Sequence, residues 1–236
     1  RQHACLELAQ EAGETLITVE DLGSTNGTYV NGSPVSGRVR LEAGDRIGLG
    51  THVLKLVAMD PLEREFHETL LDQSTRDPLT GLSNRGATLG DLQTYFELSH
   101  RHGRPMAVIM CDLDHFKKIN DQHGHGGGDQ VLRTFGERIT QKLRATDIAG
   151  RIGGEEFLII LPETDLEGAL MLGERLRATI ADEAVTLEQT DLSVTCSLGV
   201  AERSPEDRDG GALLARADAA LYKAKHKGRN RVVSAD

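Results

Sequence analysis

Gly153-Gly154-Glu155-Glu156-Phe157 lies between two short apolar runs, residues 148–152 and 157–161. Strand-length apolar runs on either side of a glycine pair predict a β-hairpin, with glycine supplying the positive φ its turn needs. Glu155 and Glu156 would then stand at a rigid tip. On its own such a string reads as readily as an ordinary solvated hairpin. A second acidic strand end decides between the two, because Asp112-Leu113-Asp114 follows the apolar run 106–111. Carboxylates at the ends of two strands, beside a glycine turn, are what a Mg²⁺–phosphate site requires. Asp114 reads equally well as a member of that site or as a solvated turn residue or helix cap.

The run 157–161 is apolar at every position, so both faces of that strand are covered, which predicts a central sheet with helices on both sides. The surrounding sequence, from residue 77 to 236, alternates accordingly. Residues 84–102 read as a helix, 106–111 as a strand and 115–123 as a short helix. From Gly127, the positions Val131, Leu132, Phe135, Ile139 and Leu143 recur at helical spacing and form an apolar face. After the hairpin come a helix over 166–180, a strand over 192–201 broken at Gly199, and a helix from 211 to about 227.

Residues 1–58 have a different texture. Short alternating runs (16–20, 28–30, 46–49, 53–57) are separated by closely spaced turn signals, among them Asn26-Gly27 and Asn31-Gly32-Ser33-Pro34. This is a sheet-rich pattern without a helix. Between the two regions, residues 59–76 read as a linker helix, with Leu62, Phe66 and Leu70 spaced among Glu63, Glu65 and Glu68. Such a helix is marginal alone and is expected to pair with a copy of itself or dock on a neighbour. Asp77-Pro78 ends it.

Bulk properties narrow the function. A chain of 236 residues has room for one large domain or two modest ones. A net charge of −10 argues against nucleic-acid polymers and anionic membranes, which need a basic stripe, but not against a single nucleotide. No apolar run approaches the length of a membrane span. Cys5, Cys111 and Cys196 form neither a disulfide framework nor a zinc pattern, which fits a reducing cytoplasm. Arg1-Gln2-His3 has no initiator Met and no signal-peptide pattern, and reads as part of a longer chain.

Two resemblances add to this reading. Asp21-Leu22-Gly23-Ser24-Thr25-Asn26-Gly27-Thr28-Tyr29-Val30-Asn31-Gly32, with Gly44-Asp45-Arg46-Ile47 and Leu49-Gly50, resembles the C-terminal part of a forkhead-associated (FHA) domain. His3 matches that family's buried histidine. The resemblance implies a partial all-β sandwich over residues 1–58, with Thr25 and Asn26 where the family contacts phosphothreonine peptides. The family's phosphate-binding Arg and Ser would lie before Arg1, so a scaffold or docking role is an equal reading.

The second covers residues 77–236. Arg76-Asp77-Pro78-Leu79-Thr80-Gly81-Leu82-Ser83-Asn84-Arg85, Asp112-Leu113-Asp114-His115-Phe116-Lys117-Lys118-Ile119-Asn120-Asp121, Gly124-His125 with Gly128-Asp129, Arg151-Ile152-Gly153-Gly154-Glu155-Glu156-Phe157, and Tyr222-Lys223-Ala224-Lys225 with Gly228-Arg229-Asn230-Arg231 follow in order. Together they resemble the GGDEF diguanylate cyclases, in the G-G-E-E-F form. The resemblance implies an α/β (α+β) domain with a mostly antiparallel central sheet and helices around it, which joins two GTP into cyclic di-GMP with release of two pyrophosphates.

It also implies roles. Two Mg²⁺ ions (or Mn²⁺) per site fall to Asp112, the Leu113 carbonyl, Glu155 and Glu156, with Glu155 placed to accept the ribose 3′-hydroxyl proton. The division of labour between Glu155 and Glu156 stays open, since a carboxylate on Mg²⁺ is a poor base. The start of helix 115–123 offers backbone N–H groups to phosphate. Lys117, Lys225 and Arg229 are cations for the triphosphate. Asn120 and Asp129 match the guanine readers, and His125 lies in the same loop. Arg144 and Asp147 sit at the offset of the family's inhibitory R-x-x-D site, with Arg175 matching its cross-subunit partner.

One site holds one GTP, so catalysis implies a homodimer in the bacterial cytoplasm, with the linker and FHA-like part controlling its geometry. The alternative is a catalytically silent cyclic di-GMP receptor that signals through partners. Intact acidic residues favour the enzyme.

Overall fold

The computed structural model describes residues 2–11, 14–58, 60, 62–64, 66, 74–187 and 190–235. The chain divides into two units, residues 1–68 and 69–236.

Among the described residues of the first unit, seven strands form two antiparallel sheets. These are β1 (Ala4–Glu11), β2 (Glu14–Asp21), β3 (Thr28–Val30), β4 (Ser33–Pro34), β5 (Arg38–Leu41), β6 (Arg46–Leu49) and β7 (His52–Lys55). One sheet has the order β1-β2-β5 and the other β4-β3-β6-β7. A small core of Val19, Leu41 and Ile47 holds the unit, as expected of a partial FHA-like sandwich. The alternating runs did not disclose β1 and β5, because β1 leaves Leu6 and Leu8 exposed and β5 buries only Leu41. Of the expected linker helix 59–76, residues 62–64, 66 and 74–75 are helical, and residues 59, 61, 65 and 67–73 lie outside the described residues. Its start is a capping box: Asp60 Oδ1 accepts the Glu63 N–H at 2.7 Å, and Glu63 Oε2 accepts the Asp60 N–H at 3.1 Å.

The second unit is built on the strand β8 (Met106–Leu113), all of whose residues are buried. It pairs antiparallel with β10 (Glu156–Pro162) on one side and β13 (Cys196–Glu202) on the other. β9 (Ile148–Arg151) closes one edge, and β14 (Val232–Ser234), the one parallel addition, closes the other, in the order β14-β13-β8-β10-β9. Side chains alternate across β8. Ala107, Ile109 and Cys111 face a core shared with helices α2 (Phe116–Lys142) and α3 (Leu166–Asp182). Met106, Val108 and Met110 face a second core shared with α1 (Arg85–His102) and α4 (Gly210–His226). Helices therefore cover both faces, as the unbroken apolar run in β10 required.

Three local expectations need correcting. Neither Gly153 nor Gly154 adopts positive φ. At Gly153 a Cβ would meet the Glu156 carboxylate, at 2.3 Å from Oε2, so a side chain there would have to displace Glu156. Gly199 does not break its strand: a Cβ there would lie 2.1 Å from the Ala217 carbonyl oxygen and 2.2 Å from the Leu221 nitrogen, so it admits α4 against the sheet. The predicted strand 192–201 is also two elements, because β12 (Thr190–Leu192) forms a separate hairpin with β11 (Val185–Leu187) before β13 begins. The break between the helices at 115–123 and 127–143 survives as a single non-helical residue, Gly124, at φ 70° and ψ 175° within α2.

Candidate active site

The acidic residues converge because of sheet register. Antiparallel pairing of β8 with β10 sets Glu156 directly opposite Asp112, and Glu155 is the last residue of the turn, its carbonyl facing the Leu113 N–H at 3.4 Å. Like charges opposed across a ladder destabilise a sheet, so nothing in the fold calls for this pair. Asp112 is almost fully buried, and Lys225 from α4 meets it with Nζ 2.7 Å from Oδ2. Burial raises the Asp112 pKa, Lys225 opposes the rise, and Glu156 and Asp114 add to it. Glu155 is raised for the same reasons: burial first, then repulsion from Asp112, against the pull of Lys225. Asp112, Glu155, Glu156 and Lys225 are thus brought into one electrostatic group.

Two arginines brace the hairpin. Arg85 Nη1 donates to the Ile152 carbonyl at 2.7 Å. Arg151 donates to the Gly154 carbonyl through Nε at 3.2 Å and Nη2 at 2.7 Å, and to both Asp77 oxygens at 3.3 Å. Asp77 in turn accepts the Thr80 N–H and hydroxyl. Burial would raise the Asp77 pKa, but the Thr80 bonds and Arg151 outweigh it and leave the carboxyl below its ordinary value. The motif 76–85 therefore acts on the site indirectly, by holding the tip that carries Glu155.

On the other side of Asp112 the chain turns at His115, a non-glycine residue at φ 59°, into α2, whose N-terminus has no side-chain cap. Its first-turn N–H groups lack intrahelical partners, as at any helix start. Lys117 is exposed on that turn. Asn120 is drawn against Gly128, where a Cβ would lie 1.9 Å from Asn120 Oδ1, and the half-buried Asp129 is the next residue of α2. His125 is exposed next to the break at Gly124. Arg229 is also exposed, at φ 63°, just beyond the end of α4.

Arg144 and Asp147 line an open groove of about 780 Å³ together with residues of 80–83 and the end of α2. Asp147 accepts the Arg144 N–H at 2.9 Å, which fixes the turn between them. Arg175 donates to the Lys142 carbonyl at 2.9 Å, bringing α3 to the same segment.

Asp114 is neither a solvated turn residue nor a helix cap. It is 4% exposed and accepts from the Thr195 and Ser197 hydroxyls and from the Asn230 N–H. Together with Arg85 and Arg151 it is a contributor that sequence reasoning undervalued. The signal available was position alone, since a second carboxylate two residues after Asp112 stays beside the same buried strand end.

In the first unit Thr25 and Asn26 are exposed and line a shallow pocket with His3. Their loop is organised by Asp21, which accepts from the Gly23 and Ser24 N–H groups and the Ser24 and Thr28 hydroxyls. Those bonds lower the Asp21 pKa to about 2, the hydroxyls of Ser24 and Thr28 contributing most. His3 is half-buried rather than buried, with Nε2 3.0 Å from the Gly27 carbonyl oxygen.

The donor set at Asp112, Leu113, Glu155 and Glu156 is all hard oxygen, which suits Mg²⁺. Both carboxyls are raised chiefly by burial and further by neighbouring carboxylates, and a bound cation would oppose that rise. Among the described residues no three His, Cys, Asp or Glu side chains are already drawn together around an ion-sized space. Among them, too, no helix is long and apolar enough to cross a membrane.

The fold is thus a doubly covered five-stranded sheet with opposed carboxylates at one end and a G-G-E-E-F hairpin. The profile of the GGDEF diguanylate cyclase domain matches residues 74–231, and the chain belongs to that family. The FHA domain profile matches residues 1–50. Diguanylate cyclase DgcP of Pseudomonas aeruginosa is 42% identical over 178 residues, covering 74% of this chain and 26% of that protein. Response regulator PleD of Caulobacter vibrioides is 42% identical over 165 residues, 69% of this chain and 36% of that protein. The match thus spans about a quarter to a third of these relatives. Among solved structures, the GGDEF domain of DgcB from Caulobacter crescentus, in complex with c-di-GMP, superposes with a TM-score of 0.66 at 37% identity, covering 69% of this chain and 96% of that one. The active GGEEF domain of a diguanylate cyclase from Vibrio cholerae does so with a TM-score of 0.63 at 36% identity, covering 66% and 98%.

Proposed function

We propose that this chain condenses two GTP into cyclic di-GMP with release of two pyrophosphates. The observation that carries the reading is the opposed pair Asp112 and Glu156 beside Glu155, a charge arrangement that costs the fold stability and suits a cation and a triphosphate. A divalent ion, two Mg²⁺ or Mn²⁺ in this reading, would be held by Asp112, the Leu113 carbonyl, Glu155 and Glu156, and supplies charge neutralisation at the phosphates. Lys117, Lys225 and Arg229 bind the triphosphate, and the first turn of α2 receives phosphate oxygens. Asn120 and Asp129 read guanine, since an Asp accepting from N1–H and the amino group meets donors that adenine lacks there. His125 orients the base or ribose. Glu155 is placed to take the proton from the attacking 3′-hydroxyl oxygen when it is not itself on the metal, where a carboxylate is a poor base, and Glu156 then remains the ligand.

Because each site takes one GTP, two chains face each other in the productive state. The linker over 59–76 and the FHA-like part over 1–58 govern that geometry, and the catalytic part runs over 77–236. Control therefore acts by positioning rather than by altering the chemistry. Product bound at Arg144, Asp147 and Arg175 holds a non-productive arrangement. Thr25 and Asn26 are the residues for a phosphothreonine partner, and the compartment is the bacterial cytoplasm. The groove at Arg144 and Asp147 exists independently of the carboxylates, which keeps a second reading, a silent cyclic di-GMP receptor. Asp112→Ala and Glu155→Ala separate the two. Each abolishes pyrophosphate release from GTP if the chain is an enzyme of this kind, and retained release in either removes the site assignment.

A further inference from the structure

Gly228, Arg229 and Asn230 have φ of 108°, 63° and 43°, so two consecutive non-glycine residues are held in the left-handed region. For Arg229 this region is strained, and such a conformation persists only where the surroundings over-determine it, whereas Asn230 is of a type that tolerates it. The anchor is Asp114. Its Oδ2 accepts the Asn230 N–H at 3.0 Å and the Thr195 hydroxyl at 2.7 Å, and Oδ1 accepts the Ser197 hydroxyl at 2.7 Å. The Asp114 N–H donates to the Thr195 carbonyl at 2.8 Å, which ties the Asp114 backbone to the residue just before β13. Arg177 of α3 gives a second hold, with Nη1 2.9 Å from Asn230 Oδ1. The Leu198 N–H takes the Arg231 carbonyl at 2.9 Å and fixes the loop's exit. A buried carboxylate one turn of chain from Asp112 is thus spent on the backbone of the loop that presents Arg229.

We infer that Asp114 is a positioning residue that sets Arg229 for the triphosphate by bracketing the 228–231 loop to the strand end carrying Asp112. The inference rests on the reading of Arg229 as a triphosphate cation and goes beyond it. A carboxylate serves two donors with one oxygen and a third with the other. An Asn side chain serves the same three groups, its oxygen accepting from Asn230 and Thr195 while its amide donates to Ser197 Oγ. Alanine serves none.

The test is steady-state kinetics of the full chain with GTP and Mg²⁺, with a thermal melt of each variant. Asp114→Ala is expected to raise KM for GTP about tenfold, the scale of a lost charge-assisted contact, with kcat changed less than about threefold. Asp114→Asn is expected to return KM to within about threefold of the parent. Ser197→Ala, which leaves the bond to Asn230 in place, is expected to leave KM unmoved. In an Arg229→Ala background, Asp114→Ala is expected to add nothing to KM.

An unchanged KM in Asp114→Ala, or its full effect persisting without Arg229, overturns the inference and spares the reading of Arg229. An Arg229→Ala variant with parental KM overturns both. If Asp114→Ala does not fold, Arg177→Met removes the other hold on Asn230 at a partly exposed site. Its expected KM rise is about threefold, and no rise counts against the inference.

Discussion

Arg151→Ala tests how the hairpin is held. The guanidinium makes two bonds to the Gly154 carbonyl and reaches both oxygens of Asp77, and the Arg151 and Asp77 side chains are only 17% and 18% exposed. Gly154 lies at the surface, so water replaces the bonds to its carbonyl at little cost. Asp77 keeps its Thr80 donors. What remains is one mostly buried ion pair at the long end of hydrogen-bond range, worth about 2 kcal/mol as a bond to a charged group. For a unit of this size that is a fall in melting temperature of about 4–8 °C. The pKa of Asp77 is depressed, so the pair's contribution is complete above the unfolded carboxyl value of about 3.9 and is lost as pH falls through the lower folded value. Parent and variant melts should therefore differ at neutral pH and converge in acid. Turnover should fall more than stability suggests, by about tenfold or more, because Glu155 sits on the loosened tip. Thermal melts and pyrophosphate release measure the two effects. A variant that melts within 1 °C of the parent and turns over normally would refute the bracing role.

Gly199→Ala places a methyl against the backbone of α4 and is expected to cost about 3 kcal/mol in urea unfolding, since that backbone cannot yield without moving Lys225 off Asp112. An unaltered midpoint would mean that α4 is not seated on the glycine. Arg144→Ala is expected to turn a stalling progress curve into one that runs on; stalling that survives locates the inhibitory site elsewhere. Asp129→Ala is expected to narrow the preference for GTP over ATP by about tenfold or more, and unchanged selectivity would move guanine recognition off that residue.

Much of the second unit was legible because its signals are physical constraints of the buried sheet. The run 157–161 had to be a doubly covered strand and 106–111 read as a second strand leading to Asp112, while the register that sets Asp112 opposite Glu156 is given by the structure. Asn84 starting α1 was readable from its side chain, which accepts the Ala87 N–H. What escaped depended on tertiary contact. Gly199 read as a break signal, yet the backbone of α4 passes too close there for a Cβ, and the Gly153-Gly154 turn does not use the positive φ its sequence suggested. Asp114 stayed undecided between a site residue and a solvated turn or helix cap because its partners, Thr195, Ser197 and Asn230, lie more than eighty positions away. The strands β1, β11, β12 and β14 are short, exposed or paired at edges, where hydrophobic alternation fades.

The central claim is that the carboxylates at the end of β8 and β10 serve GTP chemistry. Purified chain, freed of bound nucleotide, should be incubated with GTP and Mg²⁺ beside Glu155→Ala, and the nucleotides separated by chromatography. The account predicts cyclic di-GMP from the parent, accumulating and then slowing, and none from the variant. Absence of product at high protein concentration, or equal product from both, would contradict it.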